Sequence, residues 1–149
     1  VSKIEFLKFD LTDENLSEYF QPDETNIVMC LYNTLGVIPS NKRQKFVNNM
    51  KNIAGENGLT ILTAFNGDNF GFVAPKLYNP MIPMIKQIDQ DSFDETNRVF
   101  QNGLGFRSQW FTKNELKLML DTNVEPIPIN VTINDTSYIF GNVFIDRNI

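Results

Sequence analysis

The chain has 149 residues, 42% hydrophobic and 21% charged, with 13 basic and 18 acidic side chains and a net charge of −5. That size and mixture suit one domain with a buried core and exclude fibrous repeats and wholesale disorder. The basic residues are dispersed and the longest apolar runs, such as Ile27 to Leu31, are far shorter than the roughly 20 residues of a membrane span, which argues against nucleic acid and bilayer as partners.

Ile4-Glu5-Phe6-Leu7-Lys8-Phe9 alternates apolar and charged side chains up to Asp10 and predicts a strand with one buried face. Thr12 to Asn15 offer capping side chains to a short helix with Leu16, Tyr19 and Phe20, closed by Pro22. Ile27 to Tyr32 is a continuous apolar run, which suits a central parallel strand covered on both faces. Pro39-Ser40 introduces a helix whose positions Phe46, Val47, Met50, Ile53 and Ala54 keep a 3.6-residue period until Gly55 stops it. Leu59 to Phe65 follows Gly58 as another strand, so strand, helix and strand form the right-handed crossover unit of an α/β sheet.

Between Asn66 and Trp110 the pattern loosens. Gly67, Gly71, Pro75, Pro80, Pro83, Gly103 and Gly105 predict no long regular element, and the stretch at about 66–110 reads as an insertion or lid on a single domain. Met81, Met84 and Ile85 within it read as the packing of a short helical turn. Thr112 and Glu115 then have capping-box spacing ahead of a helix with Leu116, Met119 and Leu120 buried, and Phe111 stands where it can staple onto Leu116. Pro126 to Ile133 and Ser137 to Ile145, separated by Asn134-Asp135-Thr136, predict an antiparallel hairpin. Pro126 and Pro128 donate no ladder hydrogen bonds, which puts the first run at a sheet edge and its partner inside. The fold class expected is α/β, with a mostly parallel sheet ending in a C-terminal antiparallel hairpin.

Cys30 is the sole cysteine and histidine is absent. Disulfide frameworks, zinc clusters, imidazole couples and haem ligation are therefore excluded within the chain, no metal is expected, and no catalytic residue is assigned. No signal peptide opens the sequence, and a cytoplasmic location is expected. Tyr32 and Asn33 form a polar pair after an apolar run, and at the carboxyl end of a strand in an open α/β sheet their partner can be a ligand. Cys30 also reads as a small buried hydrophobe. Phe65 and Asn66 end the next strand on the same side, where Asn66 reads either as an amide orienting a ligand or as a turn residue before Gly67. Tyr78, Arg107, Ser108 and Trp110 read either as cover for a ligand or as packing under a loop.

The element order, with a strand ending in Asp10, the run Val28-Met29-Cys30-Leu31-Tyr32-Asn33-Thr34-Leu35-Gly36, the helix from Ser40, the strand after Gly58, the loose insertion and the final hairpin, resembles the C-terminal two thirds of class I S-adenosylmethionine-dependent methyltransferases. Cys30 to Ile38 with Lys42-Arg43, and Ser108-Gln109-Trp110-Phe111-Thr112 leading into a helix, are similar to the small-molecule branch of that family. The resemblance implies a Rossmann-like sheet whose only antiparallel strand is inserted by the terminal hairpin. It implies S-adenosylmethionine as cofactor and methyl transfer to a small-molecule acceptor. Cofactor contacts are implied at the Asp10 carboxylate and the Leu11 backbone on the adenine side, and at Cys30, Leu31 and Tyr32 around the methionine part. Acceptor contacts are implied at Asn33, Phe65, Asn66, Tyr78, Arg107 and Trp110.

The family's glycine-rich loop after its first strand and its acid after the second have no counterpart here. Gly103-Leu104-Gly105-Phe106 follows no predicted strand and lacks a third glycine. The chain thus enters the family pattern at the third strand, which leaves strand edges open. Either a longer polypeptide or a second chain is expected to supply the absent strands. Two alternatives remain at this stage: a non-catalytic methyltransferase-like module that docks a partner through the open edge, and an unrelated α/β nucleotide-binding domain.

Overall fold

A computed structural model of the protein describes residues 10–12, 20, 26–81 and 92–147. The strand expected at 4–9 and most of the helix expected after Thr12 lie outside the described residues, as do Met84 and Ile85. Strand β1 (Ile27–Cys30) is followed by a short helix α1 (Thr34–Val37), a 3-10 turn at Ser40–Lys42 and helix α2 (Arg43–Ala54). The chain then returns as β2 (Leu59–Phe65), parallel to β1 with Cys30 beside Leu62. Gly55 ends α2 at φ +78, where its N–H reaches the carbonyls of Lys51 and Asn52, a backbone conformation that favours glycine.

A second helix-bearing stretch, α3 (Phe70–Tyr78), precedes three short strands, β3 (Ser92–Asp94), β4 (Val99–Gln101) and β5 (Arg107–Gln109), which form an antiparallel sheet in that order. Helix α4 (Lys113–Leu120) opens with the expected capping box, the Thr112 hydroxyl accepting the Glu115 N–H while Glu115 accepts the Thr112 N–H. The chain closes with β6 (Ile127–Ile133) and β7 (Thr136–Arg147), joined through Asn134 and Asp135 at φ +48 and +60, both in the left-handed region that a tight hairpin requires.

The larger sheet has the order β1-β2-β7-β6. β7 is antiparallel to both neighbours, so β6 at the edge runs in the same direction as β1 and β2. This is the mostly parallel, Rossmann-like arrangement with an inserted antiparallel strand that the sequence predicts, and Pro128 lies on the edge strand as its missing N–H demands. Between Ile129 and Asn130 the register shifts, leaving Phe140 as an extra residue in β7. On the side of β7 away from this bulge the pairing with β2 runs on past Phe65 and Gly141, the Phe140 carbonyl accepting the Asn66 N–H at 2.8 Å.

Two cores hold the layers. Cys30, Leu62, Ala64 and Phe144 on one sheet face pack with Phe46, Val47 and Met50 of α2 and Leu116 and Leu120 of α4. Near the end of the opposite face, Phe65 and Phe140 join an aromatic core of Phe70, Tyr78, Phe100 and Trp110. The rest of that opposite face is open among the described residues: Met29, Ile61 and Ile145 stand side by side in register, and Met29 is 60% and Ile27 65% exposed. β1 is thus covered on one face by α2, whereas its unbroken apolar run predicts cover on both.

The stretch 66–110 is more regular than its glycines and prolines predict. α3 contains Pro75 in its interior, and Phe70, Val73, Ala74 and Tyr78 are nevertheless buried along one helical face. Burial of that stripe outweighs the hydrogen bond that Pro75 removes. Met81 closes a 3-10 turn at Asn79–Met81 and is exposed.

Candidate functional site

The carboxyl ends of β1 and β2 meet the second sheet, and Asn33 is the joint. Its side-chain oxygen accepts the Phe65 N–H at 3.1 Å, and its amide nitrogen donates to the Ser108 hydroxyl at 3.0 Å and the Gln109 carbonyl at 2.8 Å. Three segments distant in sequence are fastened by one buried amide. The approach is close enough that a Cβ on Gly36 would lie 2.2 Å from the Gln109 carbonyl oxygen, so only glycine fits where α1 passes under β5. Phe111 extends the rim: its N–H donates to the Phe65 carbonyl and its own carbonyl accepts the Gly67 N–H.

Tyr32 sits immediately before this joint with φ +59 and is 80% exposed. A bulky non-glycine residue in the left-handed region is held there at a cost of about 1–2 kcal/mol. The fixing contacts are plain: the Tyr32 carbonyl accepts the Thr63 hydroxyl at 2.9 Å, and Asn33 beyond it is locked on three sides. The strain lies at the carboxyl tip of β1, on an exposed side chain. Leu31, beside it, is 48% exposed.

Behind the rim lies a chain of buried polar groups. The Tyr78 hydroxyl donates to Ser108 Oγ at 2.8 Å and accepts the Trp110 indole N–H at 3.1 Å. Burial raises the Tyr78 phenol above its ordinary value, so it stays protonated and serves as donor. Trp110 is fully buried, with Phe65 at 4.9 Å, Phe70 at 5.6 Å and Phe140 at 5.9 Å between ring centroids. Asn66 is also buried, its amide donating to the Ile139 carbonyl beside the bulge. Asn33, Asn66, Tyr78 and Trp110 are therefore brought together with Phe65, and the protein itself engages the Asn33 amide, the Asn66 amide nitrogen, the Tyr78 hydroxyl and the Trp110 indole N–H.

Arg107 is half-buried on β5, next to Ser108. Cys30 points away from the rim into the core of α2, and burial pushes its thiol from 9.0 up to about 11. Asp10 is exposed and accepts the Thr12 N–H at 2.8 Å and the Thr12 hydroxyl at 2.7 Å. Those bonds, helped by Lys42 and Lys45, hold its carboxyl below the usual range. The Leu11 carbonyl accepts the Asn49 side chain at 2.7 Å, so Asp10 and Leu11 run along α2, while Tyr32, Asn33 and Phe65 share the strand-end joint.

Arg43 is the residue that sequence reasoning undervalues. It is 4% exposed, donates to the Ile38 carbonyl at 2.9 Å and the Gln109 side-chain oxygen at 2.7 Å, and lies 5.0 Å from the Phe111 ring centre. The signal was present in its spacing: Arg43 stands three, four and seven positions before Phe46, Val47 and Met50, on the buried stripe of α2. Burial, then the charge of Arg107, lowers its guanidinium from the ordinary value.

No family model and no curated protein sequence matches the chain. Among solved structures, an S-adenosylmethionine-dependent methyltransferase from Methanosarcina mazei superposes with a TM-score of 0.61 at 16% identity, over 97% of this chain and 67% of its own. A protein from Pyrococcus horikoshii superposes with a TM-score of 0.55 at 13% identity, over 95% of this chain and 62% of its own. The chain has a class I methyltransferase-like fold and spans about two thirds of the length of these neighbours.

Proposed function

We propose that the chain forms the acceptor-side part of an S-adenosylmethionine-dependent methyltransferase that acts on a small molecule. The observation that carries this reading is the strand order β1-β2-β7-β6 with its single inserted antiparallel strand, together with a strained, exposed Tyr32 at the carboxyl end of β1. Ligands in open α/β sheets bind at that end.

The residues present fit part of the cofactor. Leu31 and Tyr32 offer an apolar and an aromatic surface at the strand tip, suited to a sulfonium and its aliphatic arm. The glycine-rich loop and the ribose-gripping acid are lacking in this sequence, so the remaining wall comes from further chain, upstream in the same polypeptide or in a partner. Asp10 and the Leu11 backbone remain the proposed adenine contacts. When bound, the cofactor supplies an electrophilic methyl group. The work of this chain is alignment and exclusion of water: Asn33 fixes the strand tips, Phe65 and Trp110 make the floor rigid, and the second sheet roofs the acceptor side.

Thermal-shift measurements on the complete encoded polypeptide test this reading. S-adenosylmethionine and S-adenosylhomocysteine are each expected to raise the melting temperature, and a nicotinamide dinucleotide is not. A folded protein that responds to neither sulfur nucleotide contradicts it. The β1 edge, unpaired among the described residues, with exposed Ile27 and Met29 favours the second reading, a non-catalytic module docked to a partner, and that reading gains if a stable complex forms without nucleotide binding.

A further inference from the structure

The second sheet carries a recess of about 350 Å³ lined by Ser40, Ser92, Asp94, Gln101, Arg107 and Gln109, among others. Its polar groups are unevenly balanced. Both oxygens of Asp94 are taken up within its own turn, Oδ1 by the Asn97 N–H at 2.9 Å and Oδ2 by the Asn97 side-chain amide at 2.7 Å. Among the described residues Arg107 makes no direct ion pair, although its charge, after the bonds from Asn97, helps to hold the Asp94 carboxyl below its usual range. Gln109 has its oxygen fixed by Arg43, which leaves its side-chain N–H groups as donors on a residue that lines the recess. Behind it, buried Arg43 is satisfied by carbonyl and amide oxygens with no carboxylate, and it feels the repulsion of Arg107. Arg107 in the recess and Arg43 behind Gln109 thus face a lining with one carboxylate, Asp94, which is bonded to Asn97 and offsets Arg107 only through space. A group bearing negative charge would relieve both.

We infer that this recess binds an oxyanion, a carboxylate or phosphate group of the methyl acceptor, with Arg107 as its charged contact and Gln109 as a neutral donor. The assignment of that group to an acceptor rests on the methyltransferase reading. The recess is tied to the rim because Asn33, next to Tyr32, holds Ser108 and Gln109 directly. An acidic group held by Arg107 is therefore anchored on the strand adjoining the strand-end joint.

The test is a titration of the complete encoded polypeptide with sodium acetate and with sodium phosphate, against sodium chloride at matched ionic strength. It is followed through the side-chain N–H signals of Arg107 and Gln109 in nitrogen-15 spectra. Saturable shifts with acetate or phosphate are expected, and the tighter of the two identifies the source of the oxyanion. Arg107→Gln is expected to weaken binding by at least about tenfold, the loss of one charge-assisted hydrogen-bonding partner. Asp94→Asn, on an exposed side chain, is expected to tighten it about two- to threefold by removing a neighbouring negative charge. Shifts that merely follow chloride, or an affinity unchanged by both substitutions, overturn the inference. S-adenosylhomocysteine is titrated into the same samples. Nucleotide binding without the anion response defeats this inference alone, whereas the anion response without nucleotide binding defeats the methyltransferase reading and leaves the oxyanion site standing.

Discussion

Asn33 and Tyr32 are adjacent and have opposite roles. Asn33 makes three hydrogen bonds between β1, β2 and β5 while buried, so Asn33→Ala is expected to cost about 2–4 kcal/mol by stranding donors and acceptors. Denaturant unfolding measures it. Tyr32→Gly relieves a left-handed backbone and is expected to leave stability unchanged or raise it by about 1 kcal/mol, while weakening S-adenosylhomocysteine binding. Cys30 supplies a pH signature. Its thiol keeps its proton up to about pH 11 in the folded chain, whereas the unfolded chain releases it above 9.0. Folding therefore holds an extra proton in that window, and stability is expected to fall as pH rises from 9.0 towards 11, with no contribution from this group below it. Urea midpoints across that range are expected to decline less in Cys30→Ala than in the parent. The polarity of the Tyr32-Asn33 pair was legible in the sequence, but what it bonds to was not: its partners lie more than thirty and more than seventy positions away.

At the scale of elements, local chemistry was readable wherever it was self-contained. The capping box at Thr112 and Glu115, the stop at Gly55, and the hairpin with Pro128 on its outer strand all follow from residues within one turn or one ladder. α3 was missed because Pro75 and Gly71 argue against a helix locally, while the Phe70, Val73, Ala74 and Tyr78 stripe gains its stability only against Phe100 and Trp110. The three-residue strands β3, β4 and β5 are too short to display a period. The hairpin turn yields an element-scale prediction. Asp135 sits at φ +60, so Asp135→Gly creates the Asn-Gly pair that such turns favour and is expected to stabilise the protein by about 0.5–1 kcal/mol in thermal or urea unfolding. Loss of stability on that substitution contradicts the turn geometry.

For the molecule as a whole, the arrangement is lopsided. One face of the larger sheet is packed by α2 and α4, while among the described residues Ile27, Met29 and Ile145 on the other are exposed and no strand pairs with the outer side of β1. Sheets with parallel bodies carry helices on both faces, and both structural neighbours extend well beyond the part this chain matches. We propose that a further segment or chain covers this face in the working protein. Met29→Lys separates the possibilities: it is expected to cost about 2–3 kcal/mol in the complete polypeptide or complex, where it buries an amine, and less than about 0.5 kcal/mol if the face is solvated. No helix among the described residues is long and apolar enough to cross a membrane. We propose that the carboxyl rim around Leu31 and Tyr32 receives the adenosyl sulfonium. Isothermal titration of the complete polypeptide with S-adenosylhomocysteine tests it most directly: one saturable site that weakens in folded Tyr32→Gly is expected, and binding heat that is absent or identical in the two proteins contradicts it.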